Sequence, residues 1–160
     1  MATDMFIKIG NITAESKDAK HTGDIDVLSW SWGLSQSGTA HEGTGNGAGK
    51  VRVQDLSFVK HVDKSSASLM LACCKGTHFA EANLCIRKAG DKPLEYYKVK
   101  LEDVLISAVQ TGAHAQVEGM TETIMLNFGK FHVDYFEQQK DGTGKKGGEM
   151  NWDIPANKSA

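Results

Sequence analysis

The chain has 160 residues, of which 40% are hydrophobic and 24% are charged, so we expect one globular domain over residues 1–160. Its 18 basic residues against 20 acidic residues give a formal net charge of −2, and no broad positive field favours nucleic acid as a partner. The first ten residues include Asp4 and no long apolar run, so we expect neither a secretory signal peptide nor a membrane span, and the three cysteines indicate a reducing compartment.

The first predicted elements are two strands, because apolar and polar residues alternate. One covers residues 5–9, MFIKI. The next runs through DVLSWSWGL and places Leu28, Trp30, Trp32 and Leu34 on one face. The opposite face then carries Val27, Ser29, Ser31 and Gly33.

The two tryptophans have two interpretations. Tryptophan buries a large area, so Trp30 and Trp32 are expected in the core, and the leucines on the same face favour this. The alternative is an exposed aromatic platform that stacks on sugars, which would make the protein a ligand- or carbohydrate-binding β module. In the core interpretation, Ser29 and Ser31 lie on a surface that faces water or a wet cavity.

A short helix of about three turns is predicted at DKSSASLMLACCKG. Ser65 is a cap-type residue, and Leu69, Met70 and Cys73 follow helical spacing. Gly76 suits the left-handed position that follows a last turn. This helix is expected to flank the β structure.

The later strands shift phase within a run. The shifts fall near residues 102–103 in YYKVKLEDVLISAV and 129–130 in TETIMLNFGKFHVDYF, and they indicate bulges that let strands bend. We therefore predict a mainly β fold, an antiparallel β-barrel of two sheets with one short flanking α-helix and a long extended loop. The later residues expected on the inward face are Ala82, Leu84, Ile86, Tyr97, Val99, Leu101, Val104, Ile106, Ala108, Ile124, Leu126, Phe128, Phe131, Val133 and Tyr135.

Three stretches lack Val, Ile, Leu, Met and aromatic residues, namely 13–24, 35–50 and 138–148. Loops of this length are uncommon in a compact domain unless they bind something or lack structure. The middle stretch has five glycines, but Val51 follows Gly49-Lys50 where a P-loop requires Ser or Thr, and the dinucleotide glycine pattern fails too.

No residue set meets the requirements of a metal or catalytic site. Cys73, Cys74, His78 and Cys85 fall within thirteen residues, but adjacent cysteines on a helix point about 100° apart. No G-x-S-x-G motif occurs, and His21 lies in a polar loop where exposure is expected. We therefore expect no catalytic residue, metal or other cofactor, and keep a hydrolase with a dispersed site as a lesser hypothesis.

Five segments of the chain form a specific combination. They are MFIKIGNITAESKD, IDVLSWSWGLSQSG, GAGKVRVQDLSFVKHVDKSSASLMLACCKGTHF, IRKAG and LNFGKFHVDYF. Together, and in this order, they resemble the Hcp (haemolysin-coregulated protein) family, which forms the inner tube of the type VI secretion system. The resemblance covers essentially the whole chain, and the adjacent Cys73 and Cys74 depart from it, so no role is carried over to them.

The resemblance implies a β-barrel of two sheets with a flanking helix. It implies homohexameric rings that stack into a hollow tube, type VI effectors held in the lumen, and contact with the sheath and spike proteins of the same machine. It also implies a structural role without catalysis, and export from the cytoplasm through the contractile machine rather than by a signal peptide.

With this resemblance, residues of three kinds receive expected roles. Trp30 and Trp32 pack the core, while Ser29 and Ser31 line the lumen and bind effectors. The glycine loop is expected to be mobile in the free protomer and to order on contact with a neighbouring protomer or the next ring. Its residues are Gly38, Thr39, Ala40, His41, Glu42, Gly43, Thr44, Gly45, Asn46, Gly47, Ala48, Gly49 and Lys50.

Overall fold

A computed structural model describes residues 2–38 and 49–160. Within these ranges the chain is mainly β with one short helix, which confirms the predicted fold class. The elements in chain order are β1 (Thr3–Ile9), β2 (Ile25–Asp26), β3 (Ser29–Ser31), β4 (Leu34–Ser35), β5 (Arg52–Val53), β6 (Leu56–His61), α1 (Ser66–Lys75), β7 (His78–Lys88), β8 (Leu94–Ala113), β9 (Met120–Gln138) and β10 (Gly144–Asp153).

The strands form two antiparallel sheets of very unequal size. The large sheet has eight strands in the order β2-β1-β7-β8-β9-β6-β3, with β10 pairing with β9, and the small sheet is the β4–β5 pair. The two ends of this order, β2 and β3, are neighbours in the chain. Between them the Val27 amide donates to the Met5 carbonyl on β1 (2.9 Å), and the Leu28 amide donates to the Val59 carbonyl on β6 (2.8 Å). The sheet therefore curls until its edges approach each other at residues 25–31.

The core lies inside this curled sheet, and the predicted inward faces supply most of it. The most deeply buried apolar side chains include Ile7, Ile9, Leu56, Phe58, Leu69, Leu84, Leu101, Ile106, Ile124 and Leu126. Each such side chain contributes about 1.5–3 kcal/mol through burial. Two residues were wrongly placed inside. Tyr135 is 44% exposed near the far end of β9, where the strand extends past the core. Ala108 lies on the outer face, because the register shifts after Ile106 and Val109 takes the inward position opposite Ile124.

Both predicted phase shifts occur. Leu101 and Val104 are both buried, and Asp103 between them has a φ of 55°. On the paired strand, Phe128 and Phe131 are both buried on either side of Gly129. A Cβ on Gly129 would lie 3.4 Å from the Asp103 carboxylate, so the two irregular positions lie against each other and bend β8 and β9 together.

The helix is confirmed, with local differences. Gly76 adopts the expected left-handed conformation (φ 63°), and its amide caps the last turn. The Ser65 side chain makes no cap hydrogen bond to the helix; its hydroxyl donates to the Asp63 carboxylate instead (2.5 Å). Leu69 is buried, whereas Met70, expected on the same apolar face, is exposed because consecutive helical residues point about 100° apart.

The prediction of a long loop at residues 138–148 was wrong. Only residues 139–143 form a turn, closed by a hydrogen bond from the Gln139 amide to the Thr143 carbonyl (2.7 Å), and β10 then pairs with β9. Its first residues are exposed, so backbone pairing holds this strand without apolar alternation. The pattern of side chains therefore carried no signal for it.

Candidate functional site

Ser29 and Ser31 are exposed on β3, on the side opposite the tryptophans. Ser31 lies opposite Ser57 on β6, and Ser57 lies opposite Met125 on β9. Directly opposed residues of antiparallel strands project to the same side, so this row continues across the sheet. A parallel row begins at Ser29 and runs through the next strands in the same way.

These two rows form one surface, which we call the uncharged face. It consists of Ser29, Ser31, Ser57, Val59, Ala108, Gln110, Thr123 and Met125. None of these side chains is charged, and each is exposed or half-buried. At its border the Asp55 carboxylate accepts hydrogen bonds from Ser107 (2.7 Å) and Asn127 (2.9 Å). The face thus offers hydroxyl, amide and methyl groups beside the Asp55 carboxylate, which is already hydrogen-bonded.

On the other side of this segment the tryptophans are half-buried and pack against the core. Trp32 stands edge-on to Phe131 (4.9 Å between ring centroids), and its indole N–H donates to the Gln54 carbonyl (2.8 Å). Trp30 stacks on Tyr97 (5.8 Å). Trp30 also lines a surface depression of 300 Å³, together with Met5 and Tyr97.

Leu28 and Leu34 were wrongly expected on the tryptophan side. Leu28 is 44% exposed and Leu34 is 48% exposed. Leu28 lies between β2 and β3, where the backbone changes from hydrogen bonding with β1 to hydrogen bonding with β6. Leu34 belongs to the separate β4–β5 sheet. The alternation therefore predicts side-chain directions correctly over residues 29–32 and fails on both sides of them.

The glycine loop leaves from a paired base. Ser35 on β4 lies opposite Arg52 on β5, and Gly38, Gly49 and Lys50 are exposed beyond this pair. A Cβ on Gly49 would come within 2.3 Å of the Ser37 hydroxyl, so a larger residue there would require the Ser37 side chain to rotate away. The remaining members of the expected loop, residues 39–48, lie outside the described residues.

A buried ion pair that no local pattern in the sequence predicts joins the helix to the sheet. Lys60 on β6 and Glu122 on β9 have no exposed side-chain surface, and their charged atoms are 2.5 Å apart. The Ser66 hydroxyl, at the first residue of α1, donates to Glu122 (2.6 Å), and Lys60 also contacts Asp63 (3.1 Å). Burial acts to raise the pKa of Asp63, but hydrogen bonds from Ser65 and Lys60 outweigh it and hold that pKa below its usual value.

A second cluster fastens residues 13–24 to the outside of the large sheet. Arg87 on β7 donates to both Asp18 carboxylate oxygens (3.0 and 2.6 Å) and to Asp4 (3.0 Å). The guanidinium also lies 5.1 Å above the centroid of the Phe6 ring. Hydrogen bonding to Arg87 holds the pKa of Asp18 well below its usual range.

His21 was wrongly expected to be exposed. Only 14% of its side chain is exposed, because its ring stacks on Phe6 and its nitrogens contact Asp24 (2.9 Å) and Glu95 (2.7 Å). Beside it, burial raises the pKa of the Cys85 thiol to about 12. These groups line a surface groove of 510 Å³ on β7, β8 and β9.

The cysteine and histidine residues considered for chemistry are dispersed. Cys73 is half-buried, Cys74 is exposed and Cys85 is buried. In the described structure these three thiols and His78 do not come together as one group of donor atoms. His78 contacts Asp103 (3.0 Å) on the exposed surface. Across residues 2–38 and 49–160, no histidine nitrogen is hydrogen-bonded to a serine, threonine or cysteine side chain. In the described part of the chain, helix α1 has ten residues, too few to cross a bilayer.

Comparisons with known proteins agree with one another. Residues 6–135 match the family model described as "Type VI secretion system effector, Hcp". Over the full length of both chains, the sequence is 52% identical to Protein hcp1 of Pseudomonas aeruginosa. The fold is similar to the crystal structure of Hcp1 from Salmonella typhimurium (TM-score 0.82, 35% identity, all of both chains). It is also similar to a solved structure described as a type six secretion system protein (TM-score 0.92, 31% identity, 99% of this chain and 100% of the other).

Proposed function

Because this chain belongs to the Hcp family of type VI secretion proteins, we propose that it is a structural tube protein. In this proposal residues 1–160 form one domain, six copies form a ring, and the rings stack into a hollow tube that holds effectors in its lumen. The tube is assembled in the cytoplasm, contacts the sheath and spike proteins, and leaves through the type VI machine. Neither nucleic acid nor a membrane span has a part in it.

The uncharged face is the observation that supports cargo binding in the lumen. A surface that accepts varied proteins and releases them needs many weak contacts rather than a deep specific pocket. Ser29, Ser31 and Ser57 each offer a hydroxyl that both donates and accepts. In a ring each contact is repeated by every subunit, so weak contacts add up to a useful affinity.

The test separates assembly from cargo binding. Ser31→Arg should keep the fold and the ring, because arginine is tolerated on an exposed position, and should reduce recovery of a co-expressed type VI effector at least tenfold. The control is Ser68→Arg, the same change at an exposed serine of α1 away from the uncharged face. The measurements are mass by light scattering, expected near six times 17.3 kDa, and effector co-purification.

Each outcome has one meaning. A monomeric wild-type protein at all concentrations would contradict the tube function. Loss of the ring in Ser31→Arg alone would move Ser31 to a subunit interface. An intact ring with unchanged effector recovery would remove Ser31 from the cargo surface.

For the glycine loop we propose a role in contact between protomers or rings. Replacing residues 38–50 by one glycine leaves a four-residue connection, Gln36-Ser37-Gly-Val51, between the paired Ser35 and Arg52. This length suits a hairpin, so the shortened protein should keep its thermal midpoint. We expect rings or stacked tubes to be lost by electron microscopy and light scattering. Unchanged tubes would contradict the proposed role.

A ligand-binding β module remains a second candidate, supported by the aromatic depression. Trp30, Tyr96 and Tyr97 line it with a mostly apolar surface on which a sugar ring could stack. This candidate predicts that the wild-type protein binds oligosaccharides on an array and that Trp30→Ala abolishes binding without changing the particle mass. Absence of binding by the wild type would exclude it.

A further inference from the structure

Three potential metal-binding side chains converge where residues 13–24 cover the outside of the sheet. They are His21 from the covering segment, Cys85 from β7 and Glu95 from β8. The His21 Nε2 and Glu95 Oε1 atoms are 2.7 Å apart, although these residues are 74 positions apart in the chain. All three donor atoms, including Cys85 Sγ, lie within 4.8 Å of one another.

The orientation of His21 is already fixed for metal binding. Its Nδ1 lies 2.9 Å from the Asp24 carboxylate, and its ring stacks on Phe6 with 4.3 Å between centroids and 8° between planes. A proton on Nδ1 that is donated to Asp24 keeps Nε2 directed at the other two donors, and a metal ion would take the place of the proton in the hydrogen bond between Nε2 and Glu95. A carboxylate behind the far nitrogen is the usual support of a metal-binding histidine.

The set of one imidazole nitrogen, one thiolate sulfur and one carboxylate oxygen suits zinc. We propose that His21, Cys85 and Glu95 bind one Zn²⁺ ion, with Asp24 orienting His21 and a water or external ligand from the groove at the fourth position. Tetrahedral bonds of about 2.0–2.3 Å require donors roughly 3.3–3.7 Å apart, so His21 and Glu95 must separate by roughly 0.6–1 Å. The ion would displace two protons to solvent, one from the Cys85 thiol and one from the hydrogen bond between His21 Nε2 and Glu95 Oε1.

The neighbouring group, His132, Asp134 and Glu149, differs in donor type and in charge. It has no thiol, and the Lys146 ammonium contacts both of its carboxylates, through Asp134 Oδ1 and Glu149 Oε2, the oxygens that do not face His132. One lysine therefore already balances the charge of the two carboxylates there. In the proposed site Lys98 lies 3.4 Å from Glu95 Oε2, the oxygen that faces away from His21, and leaves Oε1 for the ion.

The proposal goes beyond the tube function and does not depend on it. A zinc ion at this point would link residues 13–24 to β7 and β8 by bonds stronger than the present hydrogen bonds. Binding to the folded state alone stabilises that state, so excess Zn²⁺ should raise the melting temperature of the wild-type protein. In the sequence Cys85 lies close to Cys73, Cys74 and His78, but within the described residues its partners for metal binding come from distant segments.

The experiment uses the full untagged chain and Co²⁺ as a spectroscopic substitute for zinc. We expect one Co²⁺ per chain, a thiolate-to-cobalt charge-transfer band, visible bands typical of tetrahedral coordination, and displacement by Zn²⁺. Cys85→Ser should abolish the charge-transfer band. Glu95→Gln and His21→Asn should each lower zinc affinity at least tenfold by calorimetry, and Asp24→Asn should lower it about 10–100-fold.

Matched controls identify the site. Cys74→Ser and His132→Gln should keep both the band and the affinity, because Cys74 is exposed on the helix and His132 belongs to the second group. Circular dichroism checks that each variant is folded. If Cys85→Ser does not fold, the loss of zinc affinity in Glu95→Gln serves as the second test. A band that survives in Cys85→Ser, a loss in His132→Gln, or no stoichiometric binding by the wild type would overturn the proposal.

Discussion

At the residue scale, the environment of Trp32 shows how a half-exposed side chain supports the core. One edge of the indole meets the Phe128 and Phe131 rings, and its N–H satisfies the Gln54 carbonyl. Leu34, two residues later, lies on the small sheet and is 48% exposed. Two large apolar residues of the same motif therefore differ greatly in what they contribute to stability.

This difference is measurable. Trp32→Ala should lower the free energy of unfolding by about 3 kcal/mol, because ring contacts and a hydrogen bond are lost. Leu34→Ala, the matched control, should change it by less than about 0.5 kcal/mol. Urea unfolding followed by fluorescence of the remaining tryptophans measures both. Equal costs for the two variants would show that Trp32 is not part of the core.

At the element scale, α1 is held by two different kinds of contact. Leu69 and Ala72 pack against the core, and Ser66 at the start of the helix bonds to Glu122 within the buried ion pair. Buried charges are costly to remove from water, so the pair is sensitive to the loss of one partner. It fixes where the helix begins relative to β6 and β9.

The ion pair predicts a non-additive result. Lys60→Met should destabilise the fold by about 3–5 kcal/mol, because Glu122 then stays buried without a cation. The double variant Lys60→Met/Glu122→Met should recover most of this loss, since two apolar chains of similar volume replace the pair. Thermal and urea unfolding of the single and double variants are the measurements. A double variant no more stable than Lys60→Met would argue against the buried pair.

At the scale of the whole molecule, carboxylates fasten separate parts of the fold together. Asp18 holds residues 13–24 to β7, and Asp63 belongs to the network beneath α1. Glu95 joins β8 to the same covering segment through its hydrogen bond with His21. Burial acts to raise the pKa of Glu95, but this hydrogen bond and the contact with Lys98 outweigh it and hold the pKa below its usual value. These contacts spread acid sensitivity over the whole curled sheet.

The sign of the pH dependence follows. The folded pKa values of Asp18 and Asp63 lie below their unfolded values, so their contribution is present above about pH 4 and is lost as pH falls through the folded values. Urea unfolding should therefore show stability decreasing from about pH 4.5 to 2.5. Asp18→Asn should flatten this slope, whereas Asp91→Asn, at an exposed position, should not. An unchanged slope in Asp18→Asn would contradict the role of the Arg87 contact.

The sequence by itself determined the features that depend on near neighbours in the chain. Alternation fixed the inward faces of β7, β8 and β9 except at Ala108 and Tyr135, the end of α1 followed from Gly76, and the bulges followed from the phase shifts at 102–103 and 129–130. Each is a local consequence of backbone geometry. The family resemblance, carried by five segments, is confirmed by the comparisons.

Tertiary structure alone decided the features that depend on strand register. Ser29 and Ser31 were singled out from the sequence, but Ser57, Thr123 and Met125 join their surface only through pairing with distant strands. The same holds for Lys60 with Glu122 and for His21 with Glu95. Strand β10 and the exposed Leu28 and Leu34 escaped detection for the same reason, because neighbouring strands decide which face of a short segment is covered, and no local pattern encodes the identity of those neighbours.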